Sequence, residues 1–116
     1  MSNLSARLEL PYLAPSQAQK HVTHNEALQR LDALTPLILE EVGAITPPAV
    51  PDQGALYALG ASPTAAWAAE PGQLAYWNGV AWLFLTPQEG WRGWDMAAGA
   101  FRVYQGSAWQ AQNAEL

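Results

Sequence analysis

Apolar and polar positions recur with two different periods in this chain, and the change falls at a proline-rich stretch. Thr23 and Glu26 have capping-box spacing, in which a Thr hydroxyl accepts from a backbone N–H three residues on and Glu reaches back. Ala27, Leu28, Leu31 and Leu34 follow at helical spacing. Together they predict a helix over 16–34, with 16–19 as its first turn or a separate one. Pro36 ends it. Residues 37–42 then alternate as a strand would; a helix running on to Glu41, with Pro36 in its first turn, is the alternative. Gly43, Pro47, Pro48 and Pro51 mark residues 43–53 as a linker or crossing loop. Beyond it the period is two. Strands are predicted near 54–59, 73–77, 80–85, 90–95, 101–105 and 107–111, forming an antiparallel meander. The fold class is therefore α+β, organised as an arm over 1–15, a helix, strand and crossing over 16–53, and a hairpin domain over 54–116.

Two hairpins of this meander carry similar phrases, Tyr76-Trp77-Asn78-Gly79-Val80-Ala81-Trp82 and Val103-Tyr104-Gln105-Gly106-Ser107-Ala108-Trp109. Asn-Gly is a strong two-residue turn signal, because a type I′ turn needs positive φ at both central positions. With Asn78-Gly79 as the turn, Ala75, Trp77, Val80, Trp82 and Phe84 share one face, and Leu74, Tyr76, Ala81, Leu83 and Leu85 the other. With Gln105-Gly106 as the turn, Arg102, Tyr104, Ser107 and Trp109 share one face, with Arg102 opposite Trp109; Phe101, Val103, Ala108 and Gln110 share the other. The aliphatic faces are the expected core. The aromatic faces have two uses: cross-strand pairs that stabilise small sheets, or a platform of Trp77, Trp82, Arg102, Tyr104 and Trp109 on which sugar rings stack.

The first fifteen residues form an arm in which Pro11 and Pro15 favour extended backbone. Leu8, Leu10, Tyr12 and Leu13 lack partners within such a segment, so they are expected to dock on their own domain or on a neighbouring subunit.

Composition narrows the function. Half of the 116 residues are hydrophobic and only 13% are charged, which suggests surface covered by a partner. The net charge of −5, with Lys20 the only lysine, leaves no basic stripe for nucleic-acid phosphates. The absence of cysteine removes disulfides and thiolate chemistry. No apolar run is long enough to span a membrane, and no signal peptide is legible, so assembly in the cytoplasm is expected.

Catalytic chemistry is thin. His21 and His24, with Glu26 or Asp32, have approximate metal-ligand spacing, but His21 precedes the predicted cap and no third ligand stands out. Glu40 and Glu41 are neighbours and would point to opposite sides of a strand. Asp95 reads as a turn residue bonding backbone N–H groups. Gly90-Trp91-Arg92-Gly93 has no helix behind it to hold phosphate. No enzyme, cofactor or metal is expected.

The block Gln17-Ala18-Gln19-Lys20-His21-Val22-Thr23-His24-Asn25-Glu26-Ala27-Leu28, with Leu31-Asp32, resembles the signature of a domain-of-unknown-function family found in prophage and gene-transfer-agent structural clusters. The later pattern is also similar: Gly72, Trp77, Gly79, Trp82, Pro87, Gly90, Trp94-Asp95, Tyr104, Gly106 and Trp109. His21 stands where an acidic residue is common, which bears only on local charge. The resemblance implies a virion component, an oligomeric base or adaptor of a head spike or tail fibre, trimeric or pentameric, that meets capsid or fibre proteins. It carries no catalytic residues. The alternative expectation is a carbohydrate-binding module for host surface polysaccharide.

Overall fold

The computed structural model describes residues 4–12 and 20–111, the side chains of 20–23 apart. It has one helix and two small mixed sheets of four strands, a small α+β fold. Helix α1 spans Lys20–Leu34. After a cis Thr35–Pro36 peptide, strands β1 (Ile38–Leu39) and β2 (Glu41–Ala44) follow on either side of Glu40. Then come β3 (Leu56–Leu59), a 3₁₀ turn at Ala65–Trp67, β4 (Leu74–Trp77), β5 (Trp82–Leu85), β6 (Arg92–Asp95), β7 (Ala100–Gln105) and β8 (Ala108–Ala111).

The expected single meander is replaced by two three-stranded meanders, β3-β4-β5 and β6-β7-β8. Each gains a parallel edge strand from the segment before the proline-rich crossing. β1 pairs with β6, placing Ile38 beside Trp94, and β2 pairs with β3, placing Glu41 beside Tyr57. Residues 37–42 are thus not one strand: the chain leaves one sheet and enters the other at Glu40, whose N–H donates to the Leu56 carbonyl at 2.7 Å.

Both hairpin registers differ from expectation by two residues. Trp77 faces Trp82, because Asn78 Oδ1 accepts from the N–H of Val80 (2.8 Å) and Ala81 (2.9 Å) and so shapes a four-residue loop. Tyr104 faces Trp109 across a turn made by Gly106 and Ser107, both at positive φ (60° and 65°) as a type I′ turn requires. Arg102 lies opposite Ala111 and Gly93, not opposite Trp109. A slip of two preserves every side chain's face, since the strand period is two.

Two cores result. The larger contains Ala33, Leu37, Leu39, Leu56, Ala58, Leu74, Tyr76 and Leu85, with Trp91 and Trp109 packed against it, so both sheets and the helix share it. The smaller lies on the opposite face of the β2–β5 sheet, where Trp67 is fully buried over Ala44, Leu59 and Ala75. In the β6–β8 meander the expected sides are reversed. Trp109 packs inward, whereas Phe101 is 39% exposed.

The helix also departs from its predicted stripe. Leu31 is 54% exposed, and the buried positions are Gln29, Asp32 and Ala33. The helix already includes Lys20, so Thr23 is inside it and cannot be its N-cap, which needs non-helical backbone. The expected turn at 16–19 and the side chains of Thr23 and His21 lie outside the described residues.

Candidate functional site

Buried polar residues on α1 decide how the N-terminal segment sits. Asp32 is completely buried and accepts from Ser5 Oγ (2.6 Å), from the Tyr76 hydroxyl (2.6 Å), and from the backbone N–H of Arg7 (2.9 Å) and Leu8. Burial pushes its carboxyl up, but these hydrogen bonds outweigh burial and hold it below the ordinary carboxylate range. Burial, then the bond to Asp32, pushes the Tyr76 phenol upward. Arg7 donates to the Ala33 carbonyl at 2.6 Å and to the Pro36 carbonyl, satisfying oxygens at the negative end of the helix.

Residues 4–12 are therefore not an extended arm. Ser5 N–H donates to the Leu10 carbonyl (3.0 Å) and Leu10 N–H to Ser5 Oγ (2.9 Å), closing a loop in which Leu4 bridges Pro11. Leu8 is 38% exposed, Leu10 is half-buried, and Tyr12 is hydrogen-bonded to Gln29. Leu13 lies outside the described residues.

The five aromatic-face residues do not converge. Trp77 and Trp82 pair at 5.1 Å on the β2–β5 sheet, and Trp82 also meets Trp67 (5.2 Å) and Tyr57 (6.0 Å). This is a packed cluster that roofs the smaller core. Its centre, Trp67, was missed in the sequence; its signal was an apolar island, Ala65-Ala66-Trp67-Ala68-Ala69, between strands. Arg102 donates to Asp95 Oδ2 at 2.7 Å. Asp95 also accepts from the N–H of Ala97 (3.0 Å) and Ala98 (3.2 Å), as expected of a turn aspartate.

Tyr104 and Trp109 stand apart from that cluster. Their rings lie 5.2 Å apart at 59°, on neighbouring strands of the other sheet. They form one wall of a cleft of about 470 Å³. The facing wall comes from the β2–β5 sheet: Val42, Gly43, Leu59 and Gly60, continued by Pro71 and Gly72. Hydrogen bonds from Gly60 N–H to the Ala44 carbonyl (2.8 Å) and from Gly72 N–H to the Gly60 carbonyl (3.1 Å) tie this wall together. Ser107 is the only side chain besides the rings to bring a polar atom, and no charged side chain lines the cleft. The volume suits a small ligand or a few residues of a peptide. Among the described residues, no group of His, Asp and Glu is placed to hold a metal ion, and His24 is exposed.

The chain belongs to the family described as Protein of unknown function (DUF2793), whose model matches residues 24–110 and so takes in most of the helix, both sheets and the cleft. No curated protein matches it. No helix among the described residues is long and apolar enough to cross a membrane.

Proposed function

We propose that this protein is a self-assembling structural component of a phage-like or gene-transfer-agent particle, an oligomeric base or adaptor of a head spike or tail fibre that meets capsid or fibre proteins. The particle comes from the family resemblance carried by residues 17–32 and the later Trp/Gly pattern. The observation that carries self-assembly is a partly exposed aromatic sheet face. The outward side of the β2–β5 sheet is roofed by Trp67. The outward side of the β1-β6-β7-β8 sheet carries Ile38, Trp94 and Val103, half-buried, and Phe101, 39% exposed. Trp94 and Phe101 pack edge to face at 4.9 Å, and the Arg92 guanidinium sits 4.1 Å above the Phe101 ring. Aromatic residues and arginine on a partly exposed apolar face are the composition of an interaction surface.

The carbohydrate reading has less support from this geometry, because Trp82 is engaged in a packed cluster and Arg102 is engaged by Asp95. The test of the assembly reading is the native mass of the full-length chain by light scattering at micromolar concentration. A closed oligomer, trimer or pentamer, is expected; a sharp monomer mass overturns it.

A further inference from the structure

Each sheet has two edges, and the edges differ in whether they can take another strand. β1 is two residues long. β2 starts at Glu41 and is interrupted by a register shift between Val42 and Ala44, where Gly43 has a φ of 80°. Very short strands, charge and bulges are the devices that keep an edge from pairing. β5 and β8 carry none of the last two and no proline, and both pair in unbroken register with their one neighbour. Three of the four β8 residues, Ala108, Gln110 and Ala111, are exposed.

The backbone groups these edges leave open follow from the hydrogen bonds behind them. The Trp77 N–H donates to the Ala55 carbonyl (3.0 Å) and its carbonyl accepts from Gly54 (2.7 Å), so Trp77 bonds away from β5. Trp82, opposite Trp77, therefore turns its N–H and C=O outward, and so does Phe84 two residues on. The Tyr104 N–H donates to the Trp91 carbonyl and its carbonyl accepts from Gly90, both at 2.8 Å. Trp109, opposite Tyr104, and Ala111 therefore turn their backbone groups outward from β8. Among the described residues no strand pairs with either edge.

We propose that β8 of one copy pairs antiparallel with β5 of the next, Trp109 opposite Phe84 and Ala111 opposite Trp82. This seam rests on the self-assembly reading above and deepens it by naming the strands that meet. Each pair exchanges both N–H···O bonds, as in the interior of a sheet, and Trp109 with Phe84 makes an aromatic cross-strand pair. Two different edges meet, so the contact is heterologous and closes into a ring when the rotation per step permits. A two-fold pairing of β8 with β8 joins copies only in twos and cannot build a trimer or pentamer. The ring leaves only the blunted edges β1 and β2 without a partner strand from another copy.

The chain has no cysteine, so introduced thiols report the seam directly. In this register Gln110 lies opposite Leu83 of the neighbouring copy in a non-hydrogen-bonded pair, where Cα atoms about 4.5 Å apart are within disulfide reach. Gln110→Cys/Leu83→Cys is expected to give a ladder of disulfide-linked copies under mild oxidation; neither single variant is. Ala111→Pro removes an N–H that faces the seam and none that faces β7. It is expected to weaken assembly at least about tenfold, while the circular dichroism spectrum stays that of the parent. A monomeric parent overturns the assembly reading and the seam with it. An oligomeric parent that gives no ladder, and whose mass Ala111→Pro leaves unchanged, overturns the seam alone. Disulfide dimers from Gln110→Cys by itself overturn it in favour of a two-fold β8–β8 contact.

Discussion

The Tyr76 hydroxyl donates to Asp32 Oδ2 at 2.6 Å, and both residues are completely shielded from solvent. This one bond joins the middle of the β2–β5 sheet to the helix, and the other Asp32 oxygen holds Ser5 and Leu8. Tyr76→Phe keeps the ring and removes the donor, leaving a buried carboxylate one bond short. The expected cost is about 1–3 kcal/mol, read as a lower urea midpoint at unchanged slope. A change within roughly 0.5 kcal/mol, the range of an inert surface substitution, would show that Asp32 is satisfied without it.

Acid should unfold the protein through the same network. Asp32 and Asp95 both have carboxyls held below their ordinary range, by hydrogen bonds that outweigh burial. A depressed folded pKa contributes stability that is complete above the unfolded value, about 3.9 for Asp, and is lost as pH falls through the folded one. Tyr76, shifted upward, has the opposite sign: its contribution is present below about pH 10 and fades above that. Urea melts at pH 7, 4 and 3 should therefore show stability falling as the pH is lowered. In Asp32→Asn that acid fall should be shallower; an equally steep fall would assign it to other carboxylates.

Trp67 rather than Trp77 should dominate the aromatic cluster. Trp67→Ala empties a fully buried site and is expected to cost about 3–5 kcal/mol. The Trp67 indole N–H is buried without a partner among the described residues, so Trp67→Phe forfeits no hydrogen bond and should recover much of that loss. Trp77, half-buried beside the hairpin loop, should cost less than Trp67 when cut to Ala. Thermal melts of the three variants check the ranking, and equal losses from Trp67 and Trp77 would contradict it.

Gly93 is small because Leu37 is close. A Cβ built there would lie 2.3 Å from Leu37 Cδ2, and Leu37 sits buried between helix and sheets. Gly93→Ala is therefore expected to destabilise by about 1–3 kcal/mol through overpacking. Leu37→Ala made alongside should relieve part of the clash, so the two losses should be less than additive; strict additivity would place the strain elsewhere.

The strands after residue 54 were legible because their period, glycine turns and aromatic phrases are local signals. Which residues share a face was legible for the same reason and survived a two-residue slip in both hairpins, although the inward side of the second hairpin is the reverse of that expected. Partnership between strands was not. Nothing local in residues 37–44 states that Ile38 will lie beside Trp94 while Glu41 lies beside Tyr57. The helix was placed, but its buried side was read from Leu28, Leu31 and Leu34, whereas Gln29 and Asp32 face inward. A hydrophobic stripe cannot reveal a carboxylate whose four donors come from two distant segments, the 4–12 loop and β4. The loop of residues 4–12 was hidden behind Asp32 in the same way. Of the aromatic platform, the Tyr104–Trp109 pair was legible as a pair. The wall facing it joins Val42, Gly43, Leu59, Gly60, Pro71 and Gly72 from three separate stretches, which no local pattern brings together.

The crossover at Glu40 has a consequence for how the molecule comes apart. One short segment supplies an edge to each sheet, through β1 on one side and β2 on the other. Neither four-stranded sheet can be completed, or dismantled, without moving the backbone that finishes its neighbour. Amide hydrogens of β3 and β6, which lie in different sheets but both pair with this segment, should then exchange with closely similar protection, as members of a single cooperative unit.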